Sequence, residues 1–142
     1  MSETDSLYLT AIEKYIVEID SFYNKYSQTK QPKIIFIEKD SYLSTIPDSI
    51  NGYRIQKIGG GNRRKIFREN GNKLRYVKVF PLTIEKGVFS ITLNPYHAQL
   101  KRRFLLSLRK NVLHLSFSDW TIIFFEFKNG RLIYTKTKNG GI

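Results

Sequence analysis

The feature that most constrains the fold of this chain is a change of hydrophobic period close to Gly52. Before it, residues 7–27 repeat apolar side chains at intervals of three and four residues, as an amphipathic helix does. These side chains are Tyr8, Ile12, Tyr15, Ile16, Ile19, Phe22, Tyr23 and Tyr26. After it, short alternating runs are separated by glycine, asparagine and proline, which is typical of β-strands joined by turns. The pattern therefore predicts one helix followed by a sheet.

The strand pattern continues as far as residue 137. Residues 33–38 form a short apolar run, and residues 39–52 form an irregular connection. The strands predicted after Gly52 are 53–58, 63–69, 73–80, 87–93, 112–117, 120–128 and 131–137. Asn70-Gly71-Asn72 and Asn129-Gly130 are each expected to close a hairpin, since such residues accept the left-handed backbone of tight turns.

Residues 94–110 fit two structures. Asn94-Pro95 can begin a helix, with proline at the first helical position. Strand alternation fits better, because the even positions from 96 to 108 are mostly apolar and the odd positions from 97 to 109 are mostly polar. We predict a strand hairpin that turns near Lys101–Arg103.

The predicted fold class is α+β, with residues 1–142 forming a single domain. The N-terminal helix is expected to pack on one face of a curved antiparallel meander of about seven strands, over residues 53–137, because the apolar face of such a sheet needs a cover. The order of a helix and then a curved sheet resembles, in architecture alone, the cones of cystatin-like and nuclear-transport-factor-like proteins. No residue role is carried over from that resemblance.

The composition excludes several kinds of chemistry. The chain has no cysteine, so disulfides, thiolate catalysis and cysteine-ligated zinc are ruled out. His97 and His114 are not at metal-binding spacing, and no catalytic motif is present. We therefore expect no cofactor, no metal and no catalytic residue, and a non-enzymatic protein is favoured over an enzyme. The N-terminus lacks a signal-peptide pattern, and no apolar stretch reaches about 20 residues. We therefore expect a soluble cytoplasmic protein that does not associate with a membrane.

The net charge of +12 is distributed unevenly. Residues 1–50 carry 5 Lys/Arg and 8 Asp/Glu, whereas residues 51–142 carry 19 Lys/Arg and 4 Asp/Glu. Such asymmetry indicates a positive surface that attracts an acidic partner. The candidate binding residues are Arg63, Arg64, Lys65, Arg75, Lys101, Arg102, Arg103 and Arg109.

Two groups of these candidates have a local context. Arg63–Lys65 follow Gly59-Gly60-Gly61-Asn62, whose backbone N–H groups could face a phosphate. The segment lacks a P-loop ending and no helix is predicted after it, so a flexible loop between two strands is favoured. If residues 97–109 form strands, alternation places Gln99, Lys101, Arg103, Ser107 and Arg109 on one sheet face, opposite the helix, and Arg75 can join this cationic column if its strand lies nearby. A solvated outer face is favoured over a nucleic-acid surface for these charges, because Tyr76 and Phe104 fall on the apolar side of the alternation.

Three functions follow from these features. Binding of an acidic protein partner is favoured, followed by binding of nucleic acid through the same charges. The third is a small-molecule or enzymatic pocket between helix and sheet. Trp120, the sole tryptophan, begins a strand and can anchor the core or lie at the rim of a binding surface. We expect it in the core.

Overall fold

The N-terminal helix α1 spans Glu3–Tyr26 in the computed structural model of the protein. The structure describes residues 2–26, 33–102, 111–116 and 119–141, with side chains described over 2–21, 33–99 and 119–141. The helix predicted at 7–27 is confirmed, and it begins about one turn earlier. Ser2 and Asp5 cap this start reciprocally, because the backbone N–H of each donates to the side chain of the other at 3.1 Å. No helix in the described part of the chain is long and apolar enough to cross a membrane.

The described strands form one open, mostly antiparallel sheet, which confirms the α+β class. Its strands are β1 (Ile34–Glu38), β2 (Ser49–Ile50), β3 (Tyr53–Ile58), β4 (Lys73–Val79), β5 (Thr83–Glu85), β6 (Val88–Arg102), β7 (Asn111–Ser116), β8 (Asp119–Lys128) and β9 (Arg131–Gly141). The order across the sheet is β2-β3-β1-β4-β6-β8-β9, and β5 and β7 pair with further stretches of β6.

The sheet is not the simple meander that was predicted, because β1 lies between β3 and β4 and runs parallel to both. Ile35 and Ile37 of β1 pack in the core that contains α1, whereas Phe36 packs on the other face. A chain that passes between two parallel strands needs a crossover connection. Here β3 leads into β4 through a second helix, α2 (Arg63–Glu69).

The strand predicted over 63–69 is therefore wrong. Ile66 and Phe67 are adjacent and pack in the same core, which a helix allows and a strand does not, because consecutive strand residues point to opposite faces. The Asn-Gly-Asn turn ends this helix instead of closing a hairpin. Gly71 and Asn72 have φ of 70° and 63°, and Asn70 Nδ2 donates to the carbonyl of Ile66 at 2.8 Å.

The two helices cover opposite faces of the sheet and form two cores. The larger core joins α1 to β1, β3, β4, β6 and β8. The smaller core, under α2, consists of Phe36, Ile58, Ile66, Phe67, Tyr76 and Ala98. Since one face was expected to carry the whole core, this second core is the main departure from the predicted architecture.

The strand interpretation of 94–110 is confirmed as far as Arg102, and the helix interpretation is wrong for that part. Lys101 and Arg102 still pair with Val112 and Asn111, so the predicted turn at Lys101–Arg103 does not begin at those two residues. Residues 103–110 lie outside the described part of the chain. Pro95 lies between the stretches of β6 that pair with β8 and with β7, a place where a residue without an N–H is tolerated.

The hairpin predicted at Asn129-Gly130 is confirmed and joins β8 to β9. Both residues have positive φ, 53° and 78°, as a two-residue type I′ turn requires. The last strand continues to Gly141, beyond its predicted end at residue 137. The predicted strands 112–117 and 120–128 are observed as β7 and β8, and both pair with β6.

Two tyrosines connect the first half of α1 to the sheet. Tyr8 lies with its ring 5.1 Å from that of Tyr42, and its hydroxyl accepts a hydrogen bond from the N–H of Leu82 at 2.9 Å. The hydroxyl of Tyr42 donates to the carbonyl of Val79 at 2.6 Å and lies 3.2 Å from an oxygen of Asp40. Burial, together with the negative charge of Asp40, raises the pKa of Tyr42 well above its ordinary value.

This raised pKa makes stability depend on alkaline pH. A tyrosine favoured in its protonated form stabilises the fold fully below its unfolded pKa of about 10, and that contribution is lost as pH rises further. Chemical denaturation from about pH 8 to about pH 11 should show a falling free energy of unfolding. We expect Tyr42→Phe to be about 1 kcal/mol less stable at neutral pH, because the Val79 carbonyl loses a donor. We also expect its alkaline loss to be smaller, with a remainder from Tyr76, whose pKa burial also raises. Identical pH profiles would contradict this assignment.

Candidate functional site

An open cleft of about 400 Å³ lies alongside the second half of α1, between the helix and the sheet. The helix contributes one wall and strands β4, β6, β8 and β9 contribute the other. The lining residues are Tyr15, Glu18 and Ile19 from α1, with Arg75, His97, Asp119, Trp120, Thr121, Asn139 and Gly140 from the sheet. Most of them are polar, whereas the buried core between α1 and the sheet is apolar.

Strand register brings these polar side chains together. Arg75 of β4 lies opposite His97 of β6, and Thr121 of β8 lies opposite Asn139 of β9. Directly paired residues of antiparallel strands share a face, so each pair presents two side chains to the same side of the sheet. Asp119 precedes Thr121 by two residues and therefore lies on that side as well.

A chain of hydrogen bonds joins the sheet to α1 at the edge of the cleft. The hydroxyl of Thr121, a buried residue, donates to Oδ1 of Asn139 at 2.8 Å. Nδ2 of Asn139 then donates to Oε2 of Glu18 at 3.0 Å. These two bonds orient the Asn139 amide and hold one oxygen of the Glu18 carboxylate at the opening.

Arg75 and Asp119 form a loose ion pair across β6. Nη2 of Arg75 lies 3.9 Å from Oδ2 of Asp119, and the two side chains are 36% and 50% exposed. An exposed pair of this kind contributes at most about 1 kcal/mol. The distance is also too long for a hydrogen bond, so Arg75 spends none of its five N–H donors on Asp119. Its guanidinium can therefore donate to a ligand.

The charges in the cleft differ from those of the chain as a whole. One arginine faces two carboxylates, Glu18 and Asp119, and His97 adds an imidazole ring. The chain has 24 Lys/Arg and 12 Asp/Glu, twice as many cations as anions. The cleft thus offers both signs of charge without the excess of positive charge found elsewhere.

A second open cleft, of about 460 Å³, adjoins the first and shares Tyr15, Ile19 and Arg75 with it. Its other lining residues are mainly apolar: Ile34, Ile35, Phe36, Tyr53, Leu74 and Val77, together with Asn70 and Lys73. The two clefts flank the same segment of α1. A molecule in the first cleft could therefore extend an apolar part toward the second.

The structure separates the basic residues that the sequence grouped. Arg75 lies in the cleft on the same side as α1, so its predicted place on the opposite face is wrong. The reason is α2, because the apolar even positions Tyr96 and Ala98 pack toward this second helix and leave the odd position His97 on the side of α1. The side chains of Lys101, Arg102, Arg103 and Arg109 lie outside the described residues.

Arg63, Arg64 and Lys65 belong to α2, on the other side of the sheet. Arg63 lies 3.7 Å from Glu38, which also receives Lys78 at 2.8 Å, so this arginine takes part in an internal ion-pair network. The Glu38 carboxylate raises the pKa of Lys78. Arg64 and Lys65 are exposed. These two are therefore the more accessible of the three to an outside partner.

The glycine-rich segment is a closed turn and not the flexible loop between strands that was predicted. The N–H of Gly59 donates to Oδ1 of Asn62 at 2.8 Å, and Nδ2 of Asn62 donates to the carbonyl of Lys57 at 3.0 Å. The side-chain amide of Asn62 thus makes the two hydrogen bonds that close the turn. Helix α2 follows immediately.

Trp120 lines the cleft and is only half-buried, so its predicted place in the core is wrong. Its ring lies against Gly140 on the neighbouring strand, where a Cβ atom would overlap three atoms of the indole. The sequence-based site also missed Glu18, His97, Asp119 and Asn139. A sequence signal exists for His97, since the apolar positions of β6 change from odd numbers at 89–93 to even numbers at 96–98.

Comparison with known proteins adds no assignment. The sequence matches no protein-family model and no curated protein. Within the described residues, no group of three or more histidine, aspartate or glutamate side chains could hold a metal ion. Function must therefore be inferred from the chemistry of the cleft itself.

The contact between Trp120 and Gly140 can be tested with a single methyl group. In Gly140→Ala the added Cβ must displace the indole, so the emission of this sole tryptophan should shift to longer wavelength. Stability should fall by about 1–3 kcal/mol, as in other overpacked sites. Gly61→Ala is the matched control, because a Cβ there meets nothing within 4 Å. Unchanged emission in Gly140→Ala would show that the ring does not lie on Gly140.

Proposed function

We propose that this protein binds a small polar molecule in the cleft between α1 and the sheet. The observation that carries the proposal is the convergence of polar side chains from one helix and four strands on an opening beside the apolar core that α1 covers. A volume of about 400 Å³ falls in the range of small-molecule sites, roughly 300–1,000 Å³. Polar groups that only solvated the surface would have no reason to converge there.

The lining offers each kind of contact that a small polar ligand needs. Arg75 and His97 supply hydrogen-bond donors, and Glu18 and Asp119 supply acceptors. Tyr15 and Ile19 add aromatic and apolar surface for the rest of the molecule. By the order of elements alone, we also propose that the sheet curves around α1 as in cystatin-like or nuclear-transport-factor-like cones, with β1 and α2 as additions.

The experiment uses Trp120 as a reporter at the site. Carboxylates, amines, amino acids, sugars and nucleosides are titrated one at a time while tryptophan emission and thermal unfolding are followed. We expect at least one compound to saturate the emission change and to stabilise the fold, by about 2.7 kcal/mol at 100 times its Kd.

Arg75→Gln and Arg64→Gln separate the cleft from the rest of the surface. Both remove one arginine charge, but Arg75 lines the cleft and Arg64 is exposed on α2. We expect Arg75→Gln to weaken binding about tenfold or more, the loss of roughly one charge-assisted hydrogen bond, and Arg64→Gln to leave it unchanged. A complete panel without a saturable response, or equal effects of the two variants, would overturn the proposal.

A second candidate function, binding of an acidic protein, is favoured by the sheet face opposite α1. On β8 and β9 this face is covered by no helix within the described residues, and Ile122 and Phe124 are half-buried there. Lys136 and Lys138 are exposed beside them, and Nζ of Lys136 lies 5.0 Å from the centre of the Phe124 ring. Apolar side chains among exposed lysines suit a partner that carries carboxylates.

Charge reversal tests this second function. In Lys136→Glu/Lys138→Glu, binding of a polyglutamate peptide at low salt should weaken by about tenfold or more, because attraction becomes repulsion. Lys33→Glu/Lys73→Glu makes the same charge change at exposed positions elsewhere and should weaken binding much less. Equal effects of the two double variants would show that binding of the peptide depends only on the net charge of the protein. Tighter binding of a single-stranded oligonucleotide than of the peptide would favour nucleic acid instead.

A further inference from the structure

The cleft carries charges that no ligand of a single sign would match. A simple anion, which the chain's +12 charge would attract, meets two carboxylates beside Arg75. A simple cation meets Arg75, which forms only a loose ion pair with Asp119, without a hydrogen bond. Each of these ligands leaves a like charge facing it, which costs binding free energy. A ligand with one positive and one negative group avoids both penalties.

Arg75 is suited to the negative group. A guanidinium presents its N–H donors as a planar fork that matches the two oxygens of a carboxylate. Because Nη2 lies 3.9 Å from Asp119, this fork forms no hydrogen bond there and can turn to a ligand carboxylate. His97, directly opposite Arg75 on β6, can add a further N–H donor to the same carboxylate.

Glu18 and Asp119 are suited to the positive group. Asn139 occupies Oε2 of Glu18, so the carboxylate is held in place by one oxygen and keeps the other as an acceptor. Asp119 is 50% exposed at the opening. An ammonium group has three N–H donors and no acceptor, so it can bond to two carboxylates at once.

The apolar lining accounts for the remainder of such a molecule. Tyr15 and Ile19 line the same cleft as the charged side chains. The second cleft shares Tyr15, Ile19 and Arg75 with the first and offers mainly apolar walls. A short apolar group attached between the amine and the carboxylate would therefore have a surface to pack against.

We infer that the ligand of this cleft is a zwitterion with a free amine and a free carboxylate, of the class of the α-amino acids. The inference rests on the proposed function, since it names the chemistry of the molecule that the same cleft binds. Arg75 and His97 hold the carboxylate, Glu18 and Asp119 hold the amine, and the apolar lining receives the side chain.

The first test compares three chemical forms of each standard amino acid by the emission of Trp120 and by calorimetry. The free form has both charges, the amide keeps only the amine, and the N-acetyl form keeps only the carboxylate. We expect at least one free amino acid to bind, with its amide and N-acetyl forms about tenfold or more weaker, since each loses a charged contact.

The outcomes separate this inference from the proposed function. Equal binding of the N-acetyl form identifies a carboxylate ligand, and equal binding of the amide identifies an amine ligand, so either result overturns the zwitterion. Binding of a sugar or nucleoside with no binding of any free amino acid also overturns it and leaves the proposed function standing. If no molecule in either panel binds, both fail together.

The second test determines which residue binds the amine of the ligand and which binds its carboxylate. Asp119→Asn should weaken the free amino acid about tenfold and leave the N-acetyl form unchanged, because only the amine contact is lost. Arg75→Gln should do the reverse, weakening the free form and leaving the amide unchanged. Glu126→Gln is the matched control on the same strand, since Glu126 is exposed and does not line the cleft. An Asp119→Asn protein that folds and binds the free form normally would overturn the inference.

Discussion

The structure depends on a strand that is apolar on both of its faces. β1 packs Ile35 and Ile37 toward α1 and Phe36 toward α2. It lies inside the sheet, because β3 pairs with one of its edges and β4 with the other. Burial of each such side chain contributes about 1.5–3 kcal/mol, so a cover on one face alone would forfeit a large part of the stability available. A sheet built around this strand needs two helices, and α2 meets that need while it also connects β3 to β4.

The same division of the core between two faces locates the cleft. Along β6, Ile91 and Leu93 pack in the core of α1, and then Ala98 packs in the core of α2. Where the apolar positions change face, the side of α1 receives His97 in place of an aliphatic residue. Arg75 lies opposite His97, and Asp119 reaches Arg75 from β8. The apolar layer under α1 ends at this point, and the helix and sheet enclose an opening lined by polar groups.

This arrangement also changes the interpretation of the basic charge. Of the described candidates, Arg63 of α2 forms an ion pair with Glu38, and Arg75 lies among carboxylates in the cleft. Arg64 and Lys65 remain exposed on the opposite side. The charge that distinguishes the composition is therefore not one continuous surface in the described residues. Positive and negative groups meet instead at defined places, as Arg75 does with carboxylates in the cleft and Arg63 does with Glu38.

Local patterns in the sequence determined the helix α1, the apolar strand β1, the extended course of β6 and the hairpin at Asn129-Gly130, because each depends on the period or turn chemistry of neighbouring residues. They also determined that the chain after Gly52 is basic and mostly strand. The parallel place of β1, the helix α2 and the cleft were decided only by tertiary structure. An Asn-Gly-Asn turn can end a helix as well as close a hairpin. The apolar pair Ile66 and Phe67 fits a helix only once a second core is known to lie on that face of the sheet. Glu18 lies 121 residues from Asn139, and only the pairing of strands beneath α1 brings them within 3.0 Å. Local periodicity says which residues share a face, but it does not say which face each helix will cover.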